Sequence, residues 1–559
     1  MNGFKKIRFL LFLIIILLFA AAEAAASPKY LIFHVDAVSL DRFLEELDAG
    51  NMPQVQAFFA EGASVYGALS LWPGGTEVIY PRLKEGCSNA EHPYVGWQFW
   101  DADQERWVPN LETIWNMFFA LPRRSRMFSI YAHPPHLDFL AGMAMQNVPL
   151  LFRQYDVLEV FWFSTDHAGH IGGKGAHSAA LHRFDHYFGK LAASTDLSGI
   201  NVILYCDHGL TFPADGSKKT DPKYIVPFNK AVTKLLGKEL YKAYYPNVYL
   251  RKAENAPKVA WKLLENVDLD WVLYPKDENT LIMLHHEGRA TLHGRGKETA
   301  YVIEEGADPF HYEELGCQGE YLNPDQWLAL TVDSTYPGAV PNIWNLWRNP
   351  NSGDVLGILN PPKVVLTAFT NSQSHTGLAR TDLLVPILFK GPNLKHMDKV
   401  KTMWLHELYT RYVPGIPFDR LPKREEHKLS VAVPFHAGSL LADSWGEFKF
   451  SPLYRFRLGA NWQGSERSFF VQYDLLRSFF SRWWLGLGVY YRESDGREKW
   501  SFSPRLELEW QYKRLGANFI WDYSPERKWR LQPALRLFTD DYRWSLEAAP
   551  WRIGLSHYW

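Results

Sequence analysis

The chain has almost no net charge: 60 Lys and Arg stand against 61 Asp and Glu in 559 residues. Without a basic excess it lacks the electrostatic footprint of a nucleic-acid-binding domain. Cysteine is equally scarce. Only Cys87, Cys206 and Cys317 are present, an odd number at irregular spacing, which excludes a disulfide framework. Cys206 closes the apolar run Asn201-Val202-Ile203-Leu204-Tyr205 and reads as a buried strand residue. The fold must therefore be held by its core, and a chain with room for two or three domains can build one.

The N-terminus reads as an export signal. Lys5, Lys6 and Arg8 form a basic start, an apolar run follows from Phe9 to Ala22, and the small-residue stretch AAEAAAS comes next. This is the pattern of a cleavable secretory peptide over residues 1–26, cut after Ala24 or Ala26. The run is short for a spanning helix. No cysteine lies at the cleavage region, so a lipid anchor there is not expected.

From Tyr30 to about Asn393 short apolar strands alternate with helical stretches. YLIFHVD (30–36), LEVFWFSTD (158–166), NVILYCD (201–207) and KVVLTAFT (363–370) read as buried strands, with LLVPILFKGP (383–392) as a fifth. SLDRFLEELDAG (39–50) reads as a helix capped by Ser39 and stopped by Gly50. Continuous apolar strands separated by helices predict an α/β domain over 28–413, a mainly parallel sheet sandwiched by helices. Residues 218–357 interrupt the alternation and read as a cap or insert of mixed structure. PGIPFDRLPKREE opens a linker over 414–428.

In a parallel sheet, ligands bind beyond the carboxyl ends of the strands. Three strands here end in an acid: Asp36, Asp166 and Asp207. Histidines follow at His170, His208 and His375. Carboxylate and imidazole suit zinc, and six such groups suffice for two ions. A nucleophile candidate stands in LWPGGTEVIYPRLKEG, where Gly74-Gly75 places Thr76 at the start of a helix. Helix N-termini suit phosphate.

The order of these motifs resembles the alkaline phosphatase superfamily, in its branch of type I phosphodiesterases and nucleotide pyrophosphatases. That branch shows a strand ending in Asp, a nucleophilic Thr, a Gly ten residues later and a His six beyond; here these are Asp36, Thr76, Gly86 and His92. Asp166/His170, Asp207-His208-Gly209 and His375 complete the set, over about residues 28–395. The resemblance implies one zinc ion on Asp166, His170 and His375. It implies a second on Asp36, Asp207 and His208 with the Thr76 hydroxyl, other divalent metals being possible. The implied reaction is hydrolysis of a small phosphoester, mono- or diester, through a covalent phospho-Thr76 intermediate. Glu85, Pro93 and Trp97 depart from the branch pattern. Trp97 stands where the family has an Asn that holds a phosphoryl oxygen, and is a candidate pocket wall instead. Two alternatives remain: a phosphoryl transferase using the same nucleophile, and an inactive membrane-anchored binding or assembly protein.

After the linker, strict alternation takes over. Tyr454, Phe456, Leu458, Ala460 and Trp462 alternate with polar or small residues, and seven further segments follow the same rule. Leu429, Val431, Val433 and Phe435 can add a strand, giving eight to ten. One face of each segment is apolar and aromatics gather near the ends, the signature of a transmembrane barrel over 429–559. A soluble β-sandwich is the alternative. The segments match the 9–11 residues of a tilted membrane strand. With the export signal, this predicts a periplasmic enzyme domain anchored by outer-membrane lipid.

Overall fold

The computed structural model describes residues 28–559 except 89, 116–127, 132–137, 153–154, 214–219, 367–374, 376, 417–427, 435–444, 454–455, 464–465, 478–480, 495–496, 513, 525–527, 540–543, 551 and 559. The signal segment expected over 1–26 and most of the expected linker lie outside the described residues. The chain divides into two compact units, Tyr30–Met145 with Val157–Asp419, and Arg420–Trp559 with Gln146–Asp156.

The first unit is built on a seven-stranded sheet. Its strands are β1 (Tyr30–Val35), β2 (Ala63–Leu69), β3 (Phe128–Tyr131), β4 (Val157–Trp162), β5 (Asn201–Tyr205), β6 (Leu384–Lys390) and β7 (Thr402–Trp404), in the order β7-β2-β6-β5-β1-β4-β3. Six share one direction, and β6 runs against both β5 and β2. Every residue of β1, β4 and β5 is buried, which accounts for their unbroken apolar runs. One expected strand is not in this sheet: within 363–370, Val364–Val365 pairs with Ile225–Val226 in a separate two-stranded sheet. An apolar run records that a segment is buried, not which neighbour it pairs with.

Helices cover both faces. Helix α1 (Leu40–Asp48) follows β1 and is capped by Ser39, whose hydroxyl accepts from the Arg42 N–H at 3.2 Å. Helix α2 (Thr76–Glu85) lies over the face of β1 that carries His34, and α3 (Ser164–Ser194) over the opposite face. Phe33 meets Phe184 and Phe188 of α3 at 5.7 and 5.2 Å between ring centroids. Thr76, Tyr80 and Lys84 recur every four residues and so share one face of α2. Tyr80 Oη donates to Glu159 Oε2 at 2.6 Å, and Lys84 Nζ donates to Glu159 Oε1 at 2.7 Å. Glu159 lies in the middle of β4, and this buried pair fixes how α2 is rotated on the sheet.

Between β5 and β6 lies a second, wholly antiparallel sheet of seven strands. Its order is Glu298–Gly306, Gly288–Arg295, Thr280–His285, Trp271–Asp277, Val355–Ile358, Asn247–Leu250, Leu240–Tyr244. Helices Phe228–Leu236 and Ala256–Asn266 bury Phe228, Val232, Val259 and Leu263 in its core. The interruption of βα alternation in the sequence reflects this separate sheet.

The second unit contains a closed barrel of ten antiparallel strands. They are β8 (Lys428–Pro434), β9 (Trp445–Leu453), β10 (Phe456–Gln463), β11 (Glu466–Arg477), β12 (Ser481–Ser494), β13 (Arg497–Tyr512), β14 (Leu515–Ser524), β15 (Lys528–Phe538), β16 (Trp544–Ala549) and β17 (Arg552–Tyr558). Strand β8 closes on β17, from Lys428 opposite Tyr558 to Pro434 opposite Arg552. The sheet therefore closes on itself, and the sandwich alternative does not apply. Its polarity is inverted relative to a soluble domain. Phe502 is 79% exposed and Leu487, Leu535 and Trp529 are exposed with it, while Glu507 is 0% exposed. Buried ion pairs fill the interior. Lys428 bridges Glu447 and Glu547 at 3.2 Å each, Arg457 meets Glu509 at 3.0 Å, Arg536 meets Glu547 at 3.0 Å, and Lys449 pairs with Glu507.

Glu159→Ala leaves the Lys84 ammonium buried without its partner, a loss of about 3–5 kcal/mol. Denaturant unfolding of the α/β unit should show that loss. Lys84→Met combined with Glu159→Leu should recover part of it, and additive single-variant losses would show that the pair does not act as one unit.

Candidate functional site

All seven of the expected ligand and nucleophile positions meet at one end of the parallel strands. Asp36 follows β1, Asp166 and His170 lie in the first turns of α3 after β4, and Asp207 and His208 follow β5. His375 comes from the loop before β6, and Thr76 is the first residue of α2. Two close approaches need glycine. A Cβ on Gly209 would collide with the Thr381 carbonyl, and one on Gly74 with the carbonyl of His375.

The geometry is close. Thr76 Oγ1 lies 3.4 Å from Asp36 Oδ1 and 3.2 Å from His208 Nε2. His208 Nε2 is 3.3 Å from Asp36 Oδ1. His170 Nε2 stands 3.1 Å, and His375 Nε2 3.8 Å, from the same oxygen, Asp166 Oδ1. The His208 and His375 rings stack at 4.2 Å. Two trios place one ligand atom each within 4.8 Å of the others: Asp166, His170 and His375, and Asp36, Asp166 and His208. A third, His34, Asp36 and Asp207, includes a residue that sequence reasoning missed. Asp36, Asp207 and His208 are buried, whereas Asp166, His170 and His375 are half-buried, so the cluster approaches the surface on that side.

The donor set fits divalent cations. His208 Nδ1 donates to the Gly209 carbonyl at 2.9 Å and His375 Nδ1 donates to the Gly74 carbonyl. A carbonyl only accepts, so Nδ1 carries a proton in both rings and Nε2 is the nitrogen turned toward the cluster. Each Nε2 stands against a carboxylate oxygen, an arrangement a cation between them would satisfy. Asp166 Oδ1 and Asp207 Oδ2 are buried without a hydrogen bond among the described residues. Electrostatics agree. Burial, then repulsion from Asp207 and Asp166, holds the Asp36 carboxyl well above its ordinary range. Burial opposes ionisation of Asp207 as well, but His208 and His34 outweigh it and lower its pKa. At Asp166, His170 and His375 likewise overcome burial. Burial and the neighbouring His208 push His375 down to about 3. Three carboxylates in so small a volume lack enough protein cations, which favours bound metal.

Several other expectations can be placed. Trp97 is half-buried against Tyr80 and Phe161. His92 is buried, with Nε2 3.6 Å from Glu85 and its carbonyl accepting from Arg82 at 3.2 Å. His285 is buried in the antiparallel sheet, while His286 is exposed and His293 half-buried. Glu77 was not anticipated. It follows Thr76, and burial raises its carboxyl to about 7.

No known protein family matches the chain, and no curated protein matches it. Solved structures that match include murine ectonucleotide pyrophosphatase/phosphodiesterase 5, at 12% identity and a TM-score of 0.43 over 68% of this chain and 93% of that one. An inactive variant of that murine protein in complex with AMP matches at 12% identity and a TM-score of 0.43, over 69% and 93%. The human protein of the same name matches at 13% and 0.43, over 68% and 92%.

A cation bound by this cluster should stabilise the α/β unit. At one hundred times its Kd a ligand adds about 2.7 kcal/mol, so zinc added to metal-stripped protein should raise the Tm. Asp36→Asn removes the most strongly repelled carboxylate. It should leave the metal-free protein at least as stable while shrinking the zinc shift. Calorimetry checks both, and an undiminished shift would remove Asp36 from the ligand set.

Proposed function

We propose that this chain is an exported, metal-dependent phosphoester hydrolase of the alkaline phosphatase superfamily, with Thr76 as its nucleophile. The observation that carries the reading is the Thr76 hydroxyl, set at the first turn of α2 within 3.5 Å of Asp36 and His208. Around it stand three carboxylates and three histidines from the segments after β1, β4 and β5 and before β6. Asp166, His170 and His375 would hold one zinc ion, and Asp36, Asp207 and His208, with Thr76 Oγ1, the other. Bound zinc would supply the positive charge that lowers the pKa of a hydroxyl or water and offsets the charge of phosphoryl oxygens.

The chain's own groups then have distinct tasks. The N-terminus of α2, with Thr76 as its first residue, would favour a phosphoryl group seated before it. Thr76 Oγ attacks phosphorus in line with the ester oxygen; the Oγ–P bond forms as the P–O bond to the departing alcohol breaks. Water then attacks the phospho-threonine, releasing phosphate or a phosphomonoester and returning the Thr76 hydroxyl. His208 and His375 each donate Nδ1–H to a backbone carbonyl, which orients the ring so that Nε2 is the atom that would meet a cation.

The reading includes an anchor. The barrel exposes Val431, Phe469, Leu487, Phe502, Leu535 and Leu555, an outer surface suited to lipid and poorly suited to water. An exported chain meets such a lipid phase in an outer membrane, with small phosphoesters reaching a periplasmic enzyme domain.

Thr76→Ala should abolish turnover of aryl phosphate mono- and diesters by at least about a hundredfold while retaining metal, and Thr76→Ser should keep a measurable fraction. Full activity in Thr76→Ala would show that water attacks directly. Chelation should remove activity and zinc should restore it. Fractionation should place the full chain in outer membranes, extractable only with detergent; recovery from the periplasm without detergent would refute the anchor.

A further inference from the structure

His34 is the one histidine beside the cluster that lies inside a strand rather than beyond one. It is fully buried in β1, two residues before Asp36, and alternation puts both side chains on the same face. Register sets it opposite Phe161 of β4 and Tyr205 of β5. The three rings form a row across the sheet, His34 to Phe161 at 4.0 Å with planes 9° apart, and His34 to Tyr205 at 4.7 Å. Tyr80 of α2 covers the row at 5.6 Å. A ring packed in this way cannot tilt without disturbing three neighbours.

Its Nε2 lies 3.2 Å from Asp207 Oδ1. That oxygen accepts the His208 N–H at 3.0 Å and the Ala37 N–H at 3.3 Å, whereas His34 Nε2 approaches it at ion-pair distance without hydrogen-bond geometry. Three nitrogens therefore surround Oδ1, while the other oxygen of the same carboxylate, Oδ2, has no hydrogen bond among the described residues and is 3.6 Å from His208 Nε2. Asp207 is thus held by one oxygen and presents the other to the cluster. Two of the three nitrogens are backbone amides that any sequence would supply at this turn. The third belongs to a side chain whose orientation is fixed by an aromatic stack.

We propose that His34 is a positioning residue: it fixes the Asp207 carboxylate by Oδ1 so that Oδ2 is preset to receive a divalent cation. The proposal rests on the two-metal reading above. Groups that orient a metal ligand without touching the metal typically change metal affinity by about 10–100-fold when removed. A purely structural His34 would affect folding and leave the affinity of the folded protein unchanged.

His34→Phe separates these roles, because phenylalanine keeps the stacked ring and loses the nitrogen. Zinc affinity of the detergent-solubilised full chain, measured by competition with a chromophoric chelator, should fall about 10–100-fold in His34→Phe. The thermal midpoint of the metal-free protein should stay near that of the wild type. Turnover of an aryl phosphate should fall at limiting zinc and recover at saturating zinc, a rescue that loss of the nucleophile would not show. His34→Gln, which restores a donor, should regain part of the affinity and covers the case in which His34→Phe does not fold. Wild-type zinc affinity in a folded His34→Phe overturns the inference about His34, as does an affinity in His34→Gln no closer to wild type than that of His34→Leu. Failure of the wild-type chain itself to bind zinc overturns the two-metal reading, and the proposal with it.

Discussion

Three carboxylates packed at the end of a buried sheet need something to hold their charge, and much of the first unit follows from that requirement. Asp36 and Asp207 follow two neighbouring parallel strands and Asp166 lies in the first turn of the helix after a third, so the sheet brings all three to one end. Apart, each would be an ordinary surface acid. Together they set Asp36 against its neighbours, raising its proton affinity while the histidines keep the other two ionised. Every nearby group limits this repulsion. His170 and His375 share one oxygen of Asp166, and backbone amides and His34 take Oδ1 of Asp207. With Nε2 of His208 and His375 turned into the cluster, the set is one that a cation would complete.

The positions that form this cluster were legible because a parallel sheet turns sequence into geometry. When strands run the same way, residues just beyond each carboxyl end become neighbours however far apart they are in the chain. Asp36 and Asp207, 171 positions apart by number, meet for this reason. Less legible was anything that depends on pairing. Strand β6 has the same apolar character as β5, yet it runs the other way, and composition does not encode direction. The run 363–370 has the composition of a central strand and pairs elsewhere through Val364–Val365. His34 and Glu159 were hidden for a related reason. Each is a single polar residue in an apolar run, and its partner, Asp207 or Lys84, can be recognised only once the sheet is assembled.

The barrel was easier to read because its signal is local. A period of two with apolar side chains on one face needs no knowledge of distant partners. What the alternation could not decide was which face points inward, since a sandwich and a membrane barrel share it. Closure of β8 on β17 excludes the sandwich, and the exposures decide the face, with Phe502 and Leu487 outside and Glu507 inside. A ten-stranded barrel leaves an interior that side chains must fill, and here Lys428, Glu447, Lys449, Glu507, Arg536 and Glu547 do so as mutual partners. Such groups are costly to bury singly and tolerable as a network. The apolar side chains displaced from the interior are the ones left on the outer surface.

Both units use buried charge to fix position, to different ends. In the barrel the charges pair chiefly with one another, although Arg536 Nη2 and Arg552 Nε are buried without a hydrogen bond among the described residues. In the α/β unit the Lys84–Glu159 pair is complete in itself, and it sits two helical turns from Thr76 on the same face of α2. A helix held at Tyr80 and Lys84 cannot rotate about its axis, so Thr76 Oγ1 keeps its direction toward Asp36 and His208. The row His34–Phe161–Tyr205 lies under the same helix and orients Asp207 from below. One layer of the molecule thus aims both the Thr76 hydroxyl and the Asp207 carboxylate. Its satisfied charges give it the rigidity to hold the unsatisfied ones above it in place.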